Sequence, residues 1–177
     1  MRLLLVLAVS MVTGSLCLGD ETNTLDKHLE PLRPLLGKTF RSEFKAGESG
    51  TSVSDVLKWE RALNGRAVRT LHSLNQGMYG GETLYVWDAQ DQAVKYFYFT
   101  TAGFRTTGTI EFRDGKMHTH EVVVGSAGDI KEVKAVSEVK ADGTFVVKVE
   151  HLTTKGKWVA TPERLYKPDP GAEVRFK

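Results

Sequence analysis

The chain has 177 residues, 41% of them hydrophobic and 26% charged, with a formal net charge of +2. That length and balance suit one globular domain with a real core. The small net charge, and the lack of any Lys/Arg run that could track a phosphate backbone, argue against nucleic acid as a partner.

Met1-Arg2 followed by the apolar run Leu3 to Val12 forms a charged lead and a short hydrophobic segment, and Gly14 to Gly19 supplies small residues for cleavage after Gly19. The pattern predicts a signal peptide over residues 1–19 and an exported protein, periplasmic or extracellular, because the apolar run is too short to span a bilayer. Cys17 opens a lipoprotein alternative, although Leu16 stands where a lipobox places a small residue. No other segment is long and apolar enough to span a membrane. Residues 20–177 show no internal repeat and no linker, and are read as one domain.

After the polar lead Asp20 to Thr24, the residues Leu25, Leu29, Leu32, Leu35 and Leu36 recur at helical spacing. Pro31 and Pro34 interrupt them, so two short helical turns are expected, with their apolar side covering one end of a sheet. The first strand opens at Gly37-Lys38-Thr39-Phe40. In the next, Val53, Leu57, Trp59 and Leu63 share a face with Asp55 and Arg61. Asn64-Gly65 predicts a type I′ hairpin turn. The returning strand, Arg66 to Asn75, carries Val68, Thr70, His72 and Leu74 on one side. Gln76 to Gly81 reads as a flexible turn, or as a lid with Met78 and Tyr79 exposed, and Glu82 to Trp87 follows as a strand.

Ala93 to Thr101 contains four consecutive aromatics, which favours a pleated strand with Phe97 and Phe99 on one face and Tyr96 and Tyr98 on the other. Rings on both faces predict a strand covered on both sides. Phe104, Thr106, Gly108, Ile110 and Phe112 form the inner face of its hairpin partner, which ends at Asp114-Gly115. Three more strands follow, at Lys116 to Val124, Ile130 to Val139 and Thr144 to Thr153. Trp158 to Tyr166 closes the series with a break at Pro162, and the tail Ala172 to Lys177 could add a short strand. About ten strands at short spacing, with no crossover helix between them, predict an all-β protein: an antiparallel up-and-down barrel with a short N-terminal helix. Barrels of about eight or more strands can hold a small ligand.

The leader His28-Leu29-Glu30-Pro31-Leu32 with Leu35-Leu36-Gly37, the opening Gly37-Lys38-Thr39-Phe40, the strand Trp59-Glu60-Arg61-Ala62-Leu63-Asn64-Gly65 and the meander that follows resemble the calycin-like barrels. These are the lipocalins, the fatty-acid-binding proteins and their bacterial relatives, and the likeness is greatest to small exported bacterial proteins of that type with no assigned activity. Lipocalins open with Gly-x-Trp and pack an Arg from the last strand over that Trp. Here Phe40 stands one residue further on, and Arg164 is the counterpart of the closing Arg. The resemblance implies a small, largely apolar ligand and does not imply catalysis, and no cofactor is expected.

Three constellations bear on chemistry. His118 and His120, two apart on a strand, point the same way and could ligate a metal if His151 or His72 joined them; Glu121 falls on the opposite face and drops out. Ordinary hydrogen-bonded histidines are the alternative. Arg61, on an apolar face, needs a carboxylate, either from a ligand or from Asp55, unless it reaches water along its stem. Tyr85, Tyr96 and Tyr98 with the neighbouring phenylalanines make an aromatic region that is either a pocket wall or plain core. No nucleophile elbow, zinc-protease motif or phosphate loop is present. The reading that follows is a barrel binding a small hydrophobic or amphipathic molecule through Arg61, His72, Tyr96, Tyr98 and His151. The alternatives are an enzyme or metal-binding barrel using interior histidines, and a solidly packed structural barrel.

Overall fold

A computed structural model describes residues 24–46 and 50–177. The expected signal peptide, with Cys17, lies outside the described residues. The strands are β1 (Thr39–Ala46), β2 (Thr51–Ala62), β3 (Ala67–Leu74), β4 (Tyr79–Asp88), β5 (Ala93–Thr100), β6 (Arg105–Arg113), β7 (Lys116–Val124), β8 (Ile130–Val139), β9 (Phe145–Thr153), β10 (Trp158–Ala160) and β11 (Arg164–Pro168). Each of the first nine pairs antiparallel with the next, and β1 pairs with β11, which pairs with β9, so the sheet closes. β10 and β11 occupy successive stretches of one edge of β9, so the eleven segments make a ten-stranded barrel. The break between them falls at Pro162, which has no N–H to give to a ladder.

Short turns set the register. Asn64 (φ 53°, ψ 32°) and Gly65 (φ 84°) adopt the type I′ pair, and Arg66 N–H closes the turn on the Leu63 carbonyl at 2.9 Å. Asp114 (φ 53°) and Gly115 (φ 69°) do the same between β6 and β7, and fix Phe112 opposite Met117, Ile110 opposite Thr119 and Gly108 opposite Glu121.

The two expected helical turns are a single 3-10 stretch, Glu30–Leu35, because Pro31 and Pro34 forbid a continuous α-helix. It seals one end of the barrel. Leu29, Leu32 and Leu35 pack there against Phe40, Trp59, Val68 and Phe145. The segment before it is tied down as well: Asp26 N–H bonds the Gly65 carbonyl at 2.8 Å, and His28 stacks on Trp87 with ring centroids 3.6 Å apart. The tail is no strand. It lies along the outer wall of β3 and β4, where Arg175 N–H reaches Ser73 Oγ at 3.1 Å and Phe176 lies beside Gly80.

Two further expectations change. Phe97 and Phe99 are uncovered, 38% and 49% exposed on the outer wall, so the aromatic strand is buried on one side only. The loop from Gln76 is no lid: Gly80 and Gly81 lie within β4, Gly77 is packed against the backbone of Arg175, and Tyr79 faces inward. Gln76 and Met78 are the exposed residues of that stretch, Met78 at 74%.

Candidate functional site

The barrel encloses a cavity of about 490 Å³, walled by apolar and polar side chains together. All five tyrosines of the chain, Tyr79, Tyr85, Tyr96, Tyr98 and Tyr166, line it. Strand alternation brings them inward, and two interior glycines make room for what they do. A Cβ on Gly81 would lie 2.3 Å from the Tyr98 ring, so the bare backbone there lets that ring lean across β4 towards β3. Gly108 stands between Tyr96 on β5 and Glu121 on β7, and its missing side chain leaves those two side chains facing one another.

One hydrogen-bonded chain crosses five strands. The Tyr166 hydroxyl donates to Asp55 Oδ2 at 2.7 Å, and Asp55 Oδ1 lies 3.2 Å from His72 Nδ1. His72 Nε2 is 2.7 Å from the Tyr98 hydroxyl, which is 2.9 Å from that of Tyr79. Asp55 is 2% exposed and accepts from both sides, so a neutral His72 ring carries its proton on Nδ1. Nε2 is then an acceptor, Tyr98 donates to it, and Tyr79 donates to Tyr98. Each hydroxyl proton points back along the chain, so the outermost oxygen, that of Tyr79, turns lone pairs to the cavity.

A second group surrounds Glu121. Thr106 Oγ1 donates to Glu121 Oε2, and the Tyr96 hydroxyl bonds the same carboxyl. Burial raises the Glu121 pKa above the ordinary carboxylate value, against the pull of those two donors. Burial also raises every phenol: Tyr85 is pushed up to about 12, Tyr96 rises further under the field of Glu121, and Tyr166 under that of Asp55. The tyrosines therefore stay protonated and act as hydrogen-bonding groups, not as bases.

Of the residues predicted from sequence, His72, Tyr96, Tyr98 and His151 line the cavity. Arg61 does not. It sits at the sealed end, where Nε donates to the Thr24 carbonyl at 2.6 Å and Nη2 bonds Thr24 Oγ1 at 3.1 Å, and Asp55 pairs with His72 instead. His118 and His120 leave from the outer face, so neither can meet His151 or His72 at a metal. His120 Nε2 is 2.7 Å from Glu132 and His118 Nδ1 is 3.1 Å from Arg113. Among the described residues no cluster of three or more His, Cys, Asp or Glu is placed to hold a metal. Arg164 is no closing arginine over Phe40. Its guanidinium lies over Phe44, 4.6 Å from the ring centroid, on the open half of the barrel. Glu121, set aside in the sequence, enters the cavity. Tyr79, Thr106 and Tyr166 join the site unannounced.

The fold and site define a class: a closed antiparallel ten-stranded barrel with a tyrosine-lined, acid-bearing interior. No family model and no curated protein sequence matches the chain. Among solved structures, the crystal structure of Rv2717c from M. tuberculosis superposes with a TM-score of 0.60 at 8% identity, over 82% of this chain and 99% of that one. At that identity the likeness is one of fold.

Proposed function

We propose that this chain is an exported calycin-type barrel that holds a small amphipathic molecule in its interior. The observation that supports the reading is the cavity itself: an interior of about 490 Å³ in which apolar walls from Leu57, Phe104, Val123, Val133 and Val149 meet a few convergent polar groups. Such a wall buries an apolar body, while the Asp55–His72–Tyr98–Tyr79 chain orients a polar end. Export rests on the leader-like pattern of residues 1–19. A second reading, catalysis with His72 as general base, draws on Asp55, which holds Nδ1 and leaves Nε2 basic. Tyr98 already occupies Nε2, so a substrate proton would travel through the two hydroxyls.

The test is a methyl NMR titration with decanol, an uncharged amphiphile. The expected result is a saturable shift of the inward valines Val123, Val133 and Val149, with the exposed Val122 and Val124 unmoved. Shifts confined to the outer pair, or none up to the solubility limit, would refute interior binding.

A further inference from the structure

We infer that the ligand of this cavity is a cationic amphiphile, an organic ammonium ion whose head is held by the Glu121 carboxylate and the neighbouring tyrosine rings. The inference rests on the interior-binding reading above and names the chemistry of its ligand. The sequence pointed the other way, to an anion held by Arg61, but that guanidinium is engaged with Thr24 outside the cavity.

The interior charge is chiefly acidic. Two carboxylates line the cavity, and they are not equally served. Asp55 is met by Tyr166 and by His72. Glu121 has hydroxyl donors from Thr106 and Tyr96, and the basic group whose charge acts on it is His120, on the outer face of the same strand. Arg164, the lining guanidinium, sits over Phe44 on the β1–β11 side of the barrel, where it hydrogen-bonds the Tyr166 hydroxyl and its charge reaches Tyr79 rather than Glu121. A carboxylate walled off from water without a counter-ion is costly, and two neutral donors offset only part of that cost. A cation entering the cavity supplies the missing partner.

Two more features favour a cation. With the His72 ring neutral, the Tyr79–Tyr98–His72 chain directs its protons back towards Asp55 and offers an oxygen acceptor to the cavity, which suits a head group made only of donors; an ammonium has three N–H donors and no acceptor. Tyr85 and Tyr96, their centroids 5.8 Å apart, add electron-rich ring faces on the same wall. An apolar tail would lie against Phe104, Val123 and Ile130 towards the open end.

The experiment is a calorimetric titration of the purified protein at neutral pH and low salt with three probes of one chain length: decylamine, decanol and decanoate. Decylamine should bind at least about tenfold more tightly than decanol, and decanoate more weakly than decanol. In Glu121→Gln the amine should fall to within about threefold of decanol measured on the same variant. If decanol binds and decylamine binds no better, or if Glu121→Gln keeps the preference, the cationic assignment is overturned and interior binding stands. If none of the three binds, interior binding itself falls, and the assignment with it. Should the variant fail to fold, the three-probe comparison on the unaltered protein decides alone.

Discussion

Replacing Gly81 with alanine tests whether the cavity's hydrogen-bonded chain depends on a bare backbone at that point. The new methyl would lie 2.3 Å from Tyr98 Cε2 and 2.3 Å from the Phe99 carbonyl oxygen, where ordinary carbon contacts begin near ~3.5 Å. Something must move by about 1 Å. The Phe99 carbonyl belongs to β5, held by ladders to β4 and β6, so the ring yields first and takes its hydroxyl away from His72 and Tyr79. Overpacking costs about 1–3 kcal/mol and each lost hydrogen bond about 1 kcal/mol. The smaller entropy of the unfolded alanine chain returns about 0.5–1 kcal/mol. The balance is a loss of about 2–4 kcal/mol, or roughly 5–15 °C in Tm for a domain of this size. Thermal unfolding followed by circular dichroism measures it. The same substitution in a Tyr98→Ala background should cost less, because only the carbonyl clash remains. A Tm within a degree of the parent would refute the reasoning, and an equal cost in both backgrounds would show that the ring is not what the glycine accommodates.

Three further outcomes follow from the same geometry. Because burial lifts the phenols above their ordinary value near 10, the folded state favours their protonated forms; stability should hold below about pH 10 and fall as pH rises beyond it, when the unfolded chain ionises first. Tyrosinate absorbance should then appear with alkaline unfolding, and a phenol that ionised near pH 10 in the intact barrel would show the wall to be open. Asp55→Ala strands the Tyr166 hydroxyl and the His72 N–H in a site 2% exposed, and should cost about 3–5 kcal/mol in denaturant unfolding, whereas a loss below about 1 kcal/mol would mean that water replaces the carboxylate. His118→Ala and His120→Ala, on the outer wall, should each change stability by less than about 0.5 kcal/mol and leave decanol binding alone; weakened binding in either would place that side chain nearer the interior than its bonds to Arg113 and Glu132 allow.

Much of the fold was written in its turns. Asn64-Gly65 needs positive φ, and that requirement placed the β2–β3 hairpin; Asp114-Gly115 also takes positive φ and sets the β6–β7 register. The same register could have found Glu121. A type I′ turn at Asp114-Gly115 pairs Phe112 with Met117, Ile110 with Thr119 and Gly108 with Glu121, and directly paired residues share a face. Since Phe112 and Ile110 were read as inward, Glu121 must be inward and the two histidines outward. The hydrophobicity of β7 does not separate its faces, because Val122 and Val124 point out while Met117 and Val123 point in beside Thr119 and Glu121. Alternation tells which residues share a face but not which face is wet, and a barrel with a polar cavity removes the usual sign. Arg61 failed for another reason. It does share the inward face of β2, but it stands beyond Trp59 at the sealed end, where the Thr24 carbonyl takes the place of any ligand. Position along the strand decides its role, and that depends on which end the 3-10 turn covers.

The division of the barrel into a packed end and an open end also explains why the polar chain sits where it does. Leu29, Leu32 and Leu35 fill the barrel up to Trp59, whose indole stacks on Tyr85 with centroids 5.4 Å apart. Beyond that layer the side chains lining β2 to β5 become those of Asp55, His72, Tyr79 and Tyr98, and the facing positions on β6 and β7 carry Thr106 and Glu121. A barrel built only for stability would continue the apolar filling, since buried carboxylates and a chain of five linked polar groups cost desolvation that leucine and valine do not. The interior instead stops packing halfway along its axis, and two glycines at Gly81 and Gly108 give up packed volume so that aromatic hydroxyls can meet acids. Stability is forgone at those positions together, along one wall of one cavity. That concentration supports the proposed reading of the cavity as a binding site.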